Sequence, residues 1–266
     1  MRDTRDMLLV LLSSLLMLTG CSRRDILDDY PVSGVEISLD WNGVTNKLPE
    51  GVRVIFYPKN AEGRKIDTYL SVKGGKVKVP PGRYSVVVYN YDTETVQIRG
   101  EEAYETIEAF TGHCNGLGIA GTEQLVWGPD LLYVVRIDDL KIENSEEELQ
   151  LNWKPKLVVK TYSFKLKVQG LEYVSSIVGS IEGMSSCYDL GLGCGKAGDS
   201  PIYFAARGSA GEVTGSFTVF GTSEGVISRA GNAIKLTLAF VKTDNKVQKM
   251  EVDITEVIAN SESGGS

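Results

Sequence analysis

Val35-Glu36-Ile37-Ser38-Leu39-Asp40-Trp41 sets Val35, Ile37, Leu39 and Trp41 on one side of an extended chain, with Glu36, Ser38 and Asp40 on the other. That strict period of two predicts a strand with one buried and one wet face. Asn42-Gly43 follows as a turn. The same grammar continues outward. Val52–Tyr57 reads as a strand stopped by Pro58 and the turn Asn60-Ala61-Glu62-Gly63. Lys65–Val72 and Lys76–Val79 flank Gly74-Gly75, a hairpin signal. After the break at Pro80-Pro81-Gly82, Tyr84-Ser85-Val86-Val87-Val88-Tyr89 is β-branched and aromatic, as strands prefer. Val96–Arg99, Tyr104–Phe110 and Leu131–Ile137 add shorter strands, although the glutamates of 101–109 also suit a helix. Residues 111–130 read as a glycine-rich loop, and Glu146-Glu147-Glu148 as a solvated turn or strand edge.

Lys154-Pro155 marks the expected domain boundary. Beyond it, Val158, Tyr162, Phe164, Leu166 and Val168 share one parity, while Val159, Thr161, Ser163, Lys165 and Lys167 share the other. Ile177–Glu182, Ile202–Ala206, Val213–Phe220, Ile234–Lys242 and Val247–Ile254 complete a second set of strands. Residues 185–200 read as a glycine-rich loop and Ser261–Ser266 as a loose tail. No long stretch carries a period of 3.6. The pattern predicts an all-β protein with two sandwich domains in tandem, over 33–154 and 155–266.

Composition supports that class. A chain of 266 residues suits two domains; 42% hydrophobic and 24% charged residues are ordinary for a globular protein, and 29 glycines favour many turns. The net charge of −7 argues against a nucleic-acid partner and against a polybasic membrane-binding face.

Ahead of the strands, Met7-Leu8-Leu9-Val10-Leu11-Leu12-Ser13-Ser14-Leu15-Leu16-Met17 has the length of a signal-peptide core and leads into Leu18-Thr19-Gly20-Cys21. Small residues before a thiol form a bacterial lipobox. Residues 1–20 are the expected signal peptide, and Cys21 the site of lipidation by acyl chains such as palmitate. Asp3 and Asp6 offset Arg2 and Arg5, so the basic end of the leader is weak. Acyl chains hold a protein at a bilayer with about 0.8 kcal/mol per buried methylene. Residues 21–32 then act as a lipidated tether, and the chain is expected at the outer membrane, lipid-anchored and facing the cell surface. Cys114, Cys187 and Cys194 remain. Cys187 and Cys194 are close enough in sequence for a disulfide in an exported protein; the other reading is that all three are thiols packed as small hydrophobes.

No catalytic pattern emerges. Gly116-Leu117-Gly118-Ile119-Ala120-Gly121 matches a dinucleotide fingerprint, but Trp127-Gly128-Pro129 leaves no room for the helix it requires. Gly191-Leu192-Gly193-Cys194-Gly195-Lys196-Ala197 misses phosphate-loop spacing and lacks the hydroxyl after lysine. His113 and Cys114 are adjacent, so on an extended chain their side chains diverge. One histidine and no C-x-x-C spacing argue against zinc. The expectation is no enzyme, no metal and no cofactor. Trp41, Trp127, Trp153, Tyr188 and Tyr203 are candidates either for stacking on sugars or for ordinary packing.

Several segments occur in a suggestive order: Cys21 with Arg24-Asp25 close behind, Val35–Trp41, Gly51–Pro58, Pro81–Tyr84 leading to Tyr89-Asn90, Lys156–Val168, Ile181–Met184, Gly215–Gly221 and Val252–Thr255. Together they resemble the fimbrillin-like lipoproteins of the Bacteroidetes, of the fimbrial anchor and minor-subunit type. The resemblance implies transthyretin-like β-sandwich domains and surface display. It also implies a role as anchor or accessory subunit of a fimbria-like adhesive assembly, joined to other fimbrillin-like subunits by strand addition. The tether between Cys21 and the first strand is too short to be cut away without releasing the lipid, which favours a subunit that stays on the membrane. Val247–Ile254 is the strand whose edge is expected to meet a partner. The alternative is a surface lipoprotein that captures a host ligand, glycan or protein for an uptake system.

Overall fold

In the computed structural model, residues 33–60, 63–114, 124–145, 147–197, 200–220 and 233–263 are described. The signal peptide, Cys21, the tether, Gly116–Gly121 and Glu146 lie outside them.

The first sheet is an eight-stranded ribbon that folds over on itself. Its strands are β1 (Ser33–Leu39), β2 (Gly51–Pro58), β3 (Ile66–Ser71), β4 (Gly74–Val79), β5 (Gly82–Asn90), β9 (Tyr133–Ile142), β10 (Leu149–Trp153) and β11 (Lys156–Leu157), ordered β10-β1-β4-β3-β2-β5-β9-β11. β3 and β4 are joined through a single residue pair, Ser71 with Gly74. The sheet turns its corner there. Gly74 has φ +103°, and a Cβ on it would lie 2.0 Å from the carbonyl oxygen of Ile37, so only glycine fits. Folding over brings Val35 and Ile37 of β1 into one core with Val54 and Phe56 of β2 and Val86 and Val88 of β5.

The period-two reading of β1 holds: Val35, Ile37 and Leu39 are buried and point inward. β5 behaves differently. Tyr84 through Asn90 are all buried, because both faces of this strand are covered. The second cover is a four-stranded sheet, β15-β14-β7-β6, made of β6 (Val96–Arg99), β7 (Glu108–Thr111), β14 (Ser185–Asp189) and β15 (Cys194–Ala197). Ile55, Val87, Tyr89 and Val134 from the large sheet meet Val96, Ile107, Ala109 and Leu190 in this second core.

The third sheet holds β12 (Lys160–Lys167), β13 (Val174–Glu182), β16 (Ile202–Ser209), β17 (Glu212–Val219), β18 (Lys235–Lys242) and β19 (Val247–Asp253), in the order β12-β17-β16-β13-β18-β19. β8 (Val126–Trp127) adds in parallel beside Ile202-Tyr203 of β16. All-β is therefore correct, and the single α-helix among the described residues is α1 (Thr255–Ser263). That helix starts just past the strand expected to end at Ile254 and runs into the expected loose tail. Thr255 starts it: its hydroxyl donates to Asp253 at 2.6 Å and accepts the N–H of Ile234 at 2.8 Å. Ile258 is then buried against the third sheet.

The expected boundary at Lys154-Pro155 falls inside the first sheet, between β10 and β11, and does not part the chain into two independent halves. Lys156-Leu157 still pairs with β9. The segment 185–200, expected as loop, instead sends a hairpin back across the boundary. Its strand β14 pairs antiparallel with β7, Cys187 opposite Phe110 and Asp189 opposite Glu108. In return β8, from the N-terminal half, joins the third sheet. The interlock is also ionic. Lys196 lies 2.8 Å from the carboxylate of Asp189 and 3.0 Å from that of Glu108, while Arg99 Nε donates to Glu108 at 2.7 Å. The hydrogen bond to Asp189 is the main reason the Lys196 ammonium is held above its usual pKa, with Glu108 assisting against desolvation.

Elsewhere the Asp130 carboxylate fastens the approach to β9 onto the start of β6. Burial works against its charge, yet the Thr95 hydroxyl at 2.6 Å and the Val96 N–H at 3.0 Å, helped by the Glu94 N–H, hold it below its ordinary pKa. These couplings make the halves interdependent. A fragment ending at Lys154 lacks β14, β15 and Leu190 and so loses half of the sheet that covers one face of β5. Expressed as residues 22–154 it is expected to show no cooperative urea transition, whereas residues 22–266 should unfold with one. A fragment that melts cooperatively would contradict the interlock.

Candidate assembly interface

The third sheet has two free edges among the described residues, β12 at one side and β19 at the other. Each was built by a clear alternation. On β12, Tyr162, Phe164 and Leu166 face the core and Thr161, Ser163, Lys165 and Lys167 face water. β12 runs in full register with β17 from Lys160–Val219 to Lys167–Glu212. Tyr162 stacks on Phe217 with ring centroids 5.5 Å apart, and Phe164 meets Phe204 edge-on at the same distance. Glycines opposite these rings make room. A Cβ on Gly215 would lie 2.6 Å from the Phe164 ring, and one on Gly179 would lie 2.0 Å from that of Phe204. Large rings packed over glycine hollows fix the register of these strands. Tyr162, Phe164 and Leu166 nevertheless stay half-buried, so the apolar row along β12 is incompletely covered.

On the opposite edge, β19 pairs with β18 over seven residues, from Lys235–Asp253 to Val241–Val247. Its core side carries Met250, opposite Leu238; its wet side carries Lys249 and Glu251, opposite Ala239 and Thr237. The Lys235–Glu251 ion pair at 3.6 Å crosses between the two strands. The Thr255 hydroxyl and N–H hold the exposed Asp253 carboxylate below its usual pKa. Val247–Ile254 is thus an edge strand, as read from the sequence: it closes its own sheet on one side, and its other side pairs with no strand among the described residues.

At the tether end, β1 has no free edge. It pairs antiparallel with β4 from Ser33 to Ser38, and in parallel with β10 from Val35 to Leu39. The Trp41 indole N–H donates to the Val72 carbonyl at 2.6 Å and closes the end of the strand. The chain that emerges from the tether is gripped from both sides at once. The sequence showed the strand but not this grip, because β10 lies more than a hundred residues away.

The remaining sequence candidates fall into structural roles. Cys114, Cys187 and Cys194 are free thiols. Cys187 lies opposite Lys196, and Cys194 opposite Asp189, so the two cysteines are diagonal across the hairpin rather than facing. The bridge considered for them is not formed, and diagonal positions are too widely spaced for one without backbone movement. Burial pushes the Cys114 thiol up to about 11, a protonated group rather than a nucleophile. Trp153 is buried, Tyr188 packs against Phe220, and Trp127 sits edge-on to Tyr203 at 5.3 Å. Among the described residues no group of three or more metal-ligating side chains occurs, and no helix is long and apolar enough to cross a membrane.

The fold is all-β, with two sheet edges left open among the described residues. A domain family of unknown function, DUF5119, matches residues 20–205, and the chain belongs to that family. It is 62% identical to a Bacteroides ovatus protein provisionally named fimbrium anchoring subunit Fim4B, over the whole of this chain and 84% of that protein. It is 60% identical, with a TM-score of 0.83, to a crystal structure of an adhesin candidate from Bacteroides ovatus, covering 91% of this chain and 90% of the other. The fimbrial anchor protein Mfa2 from Porphyromonas gingivalis shares the fold, with a TM-score of 0.53 at 10% identity over 86% of this chain and 83% of that one. The resemblance to fimbrial anchor chains drawn from the sequence is borne out.

The edge strand yields a direct test. Truncation after Lys246 removes β19, Ile254 and the buried Ile258 together. A buried isoleucine alone is worth about 2–5 kcal/mol, so the truncated chain is expected to lose the cooperative unfolding of its third sheet, read by near-ultraviolet circular dichroism in urea. Unchanged stability would mean that β19 is dispensable to the sheet and free to be donated.

Proposed function

We propose that the protein is the membrane-held anchor or accessory subunit of a fimbria-like assembly, tethered by lipid on Cys21 and joined to its neighbour by strand addition. The observation that carries this is the double pairing of β1. A pull on the tether enters a strand hydrogen-bonded on both sides, whose failure requires a whole ladder to break together. A subunit that holds a fibre at the membrane needs that grip. The 62% identical relative named as a fimbrium anchoring subunit supports the same role, and the lipobox supports the attachment. The role is structural rather than catalytic.

The free edges of the third sheet supply the contact with the next subunit. Main-chain hydrogen bonds along an edge give affinity, and side-chain alternation gives register. β19 is the foremost contact. The partner is another fimbrillin-like chain at the cell surface, with the outer membrane beneath.

Two readouts test this. Cys21→Ser is expected to move the protein from the membrane pellet to the soluble fraction; retention after a high-salt wash would contradict lipid attachment. Crosslinking on intact cells is expected to capture a fimbrillin-like chain. Repeated capture of oligosaccharide-uptake components alone would instead favour a binding lipoprotein of an uptake system.

A further inference from the structure

At one end of its strands the third sheet finishes in three loops that are stitched into a single surface. The chain leaving β12 runs through residues 168–170 into a short 3-10 turn, Leu171–Tyr173, before β13. Ala210-Gly211 turns β16 into β17, and residues 243–246 turn β18 into β19. The Val168 N–H donates to the Gly211 carbonyl at 2.9 Å, and the Thr243 N–H donates to the Tyr173 carbonyl at 2.9 Å. The first connection is thereby tied to both turns through backbone hydrogen bonds. Loops presented in this way by a rigid sheet are common binding surfaces. An open cleft of about 950 Å³ lies between residues 167–172 and 208–212. Tyr173 is 63% exposed where the first connection meets the β18–β19 turn, and Leu171 beside it is half-buried.

The charge at this end is opposite in sign to that of the whole chain, which is −7. Over residues 165–175, 207–212 and 241–247, all of them described, Lys165, Lys167, Arg207, Lys242 and Lys246 stand against Glu172, Glu212 and Asp244. Lys165 is taken up by Glu212 at 2.7 Å and Lys246 by Asp244 at 2.9 Å. Lys167, Arg207 and Lys242 form no ion pair among the described residues. These three cations sit on β12, β16 and β18, every second strand in the order β12-β17-β16-β13-β18. With neighbouring strands about 4.8 Å apart, they are spaced roughly 10 Å from one another across the sheet, and roughly 19 Å from first to last. A single phosphate or carboxylate cannot meet all three. An extended polypeptide advances about 3.3 Å per residue, so carboxylates on every third residue repeat at the same interval of roughly 10 Å. Glu172, exposed and without an ion pair among the described residues, opposes a uniform polyanion, whereas a protein can set a cation or hydroxyl opposite it. Tyrosine and arginine, here Tyr173 and Arg207, are also enriched in protein contacts.

We propose that this loop end of the third sheet docks an acidic segment of a partner protein, with carboxylates on Lys167, Arg207 and Lys242 and an apolar side chain against Tyr173 and Leu171. The loops are held in place before the partner arrives, so little ordering opposes binding. The cations are at the surface, so salt screens the attraction. This contact uses side chains at the strand ends rather than the backbone of β19. It therefore goes beyond the strand-edge joint and requires neither lipid on Cys21 nor strand addition.

The test uses the full mature chain, residues 22–266, and fluorescence anisotropy with a labelled peptide of four Glu-Ser-Thr repeats, its Gln-Ser-Thr counterpart and polygalacturonate as competitor. Saturable binding of the glutamate peptide is expected in low salt, with a Kd of about 10–100 μM and at least about tenfold tighter than the glutamine peptide. Arg207→Glu should weaken it about tenfold and Arg207→Gln about threefold. Neither substitution removes an ion pair, so both should leave the unfolding midpoint unchanged. Lys78→Glu makes the same kind of charge change on an exposed position of β4 and should leave the affinity within about twofold. Glu172→Gln should tighten it. The proposal is overturned if the glutamate peptide does not saturate the protein, if the glutamine peptide binds as tightly, or if Glu172→Gln weakens binding. It is also overturned if Lys78→Glu and Arg207→Glu weaken binding alike, since net charge alone would then act. Displacement by polygalacturonate at a lower concentration of carboxylate than the peptide supplies would assign the surface to a polysaccharide instead. The Cys21→Ser fractionation and the crosslinking on cells are read separately, so failure here leaves the anchor reading standing.

Discussion

The pairing of β14 with β7 is the contact on which the rest of the structure depends. Three residue pairs carry it, Cys187 with Phe110, Tyr188 with Ala109 and Asp189 with Glu108. They complete a sheet that no single half of the chain can build. Leu190, fully buried just beyond them, fills the core between that sheet and β2, β5 and β9. Without this cover, Ile55, Val87, Tyr89 and Val134 would face water on the outer side of the large sheet, at a cost of roughly 25 cal/mol per Å² of apolar surface. The ionic group of Glu108, Asp189, Lys196 and Arg99 then sets the register. Glu108 and Asp189 are buried, so removing Lys196 would leave the Asp189 carboxylate without its cation next to a Glu108 that keeps only Arg99, an unfavourable arrangement.

This interlock links the two ends of the mechanical problem. The tether enters at β1, inside the folded-over sheet and paired on both sides. The open edges lie on the third sheet, at the far end of the sequence. Because β14, β15 and β8 cross between the halves, packed sheets rather than a single linker join them. The same crossing ties the hairpin to β9, since Arg136 donates to the Leu192 carbonyl.

Much of the fold was legible where one face of a strand is wet. β1 and β12 alternate strictly, and the structure keeps the parity of Tyr162, Phe164 and Leu166 as the sequence gives it. Three features were not legible, each for a physical reason. β5 is buried on both faces, so Ser85-Val86-Val87-Val88 identifies a strand but cannot reveal that two layers cover it. β14 and β15 have short, mixed sequences, Ser185–Asp189 and Cys194–Ala197, with glycines between and beside them. Their strand character comes from pairing with β7, a long-range contact that no local period records. Helix α1 is short, and its start depends on Thr255 bonding to Ile234 and Asp253, again a tertiary cause. For the interface, the edge position of Val247–Ile254 was readable from the sequence, whereas the grip on β1 by β10 was not. The Cys187–Cys194 spacing suggested a bridge because sequence distance says nothing of the diagonal register that separates them.

The central claim is that this chain holds a fibre to the membrane through Cys21. The most direct measurement is electron microscopy of cells lacking the native protein and carrying either the unaltered chain or Cys21→Ser, with fibres counted on cells and in the medium. The account predicts that fibres remain on cells with the unaltered chain and are shed into the medium with Cys21→Ser, each still bearing the protein. Equal numbers of cell-attached fibres in the two strains would contradict it.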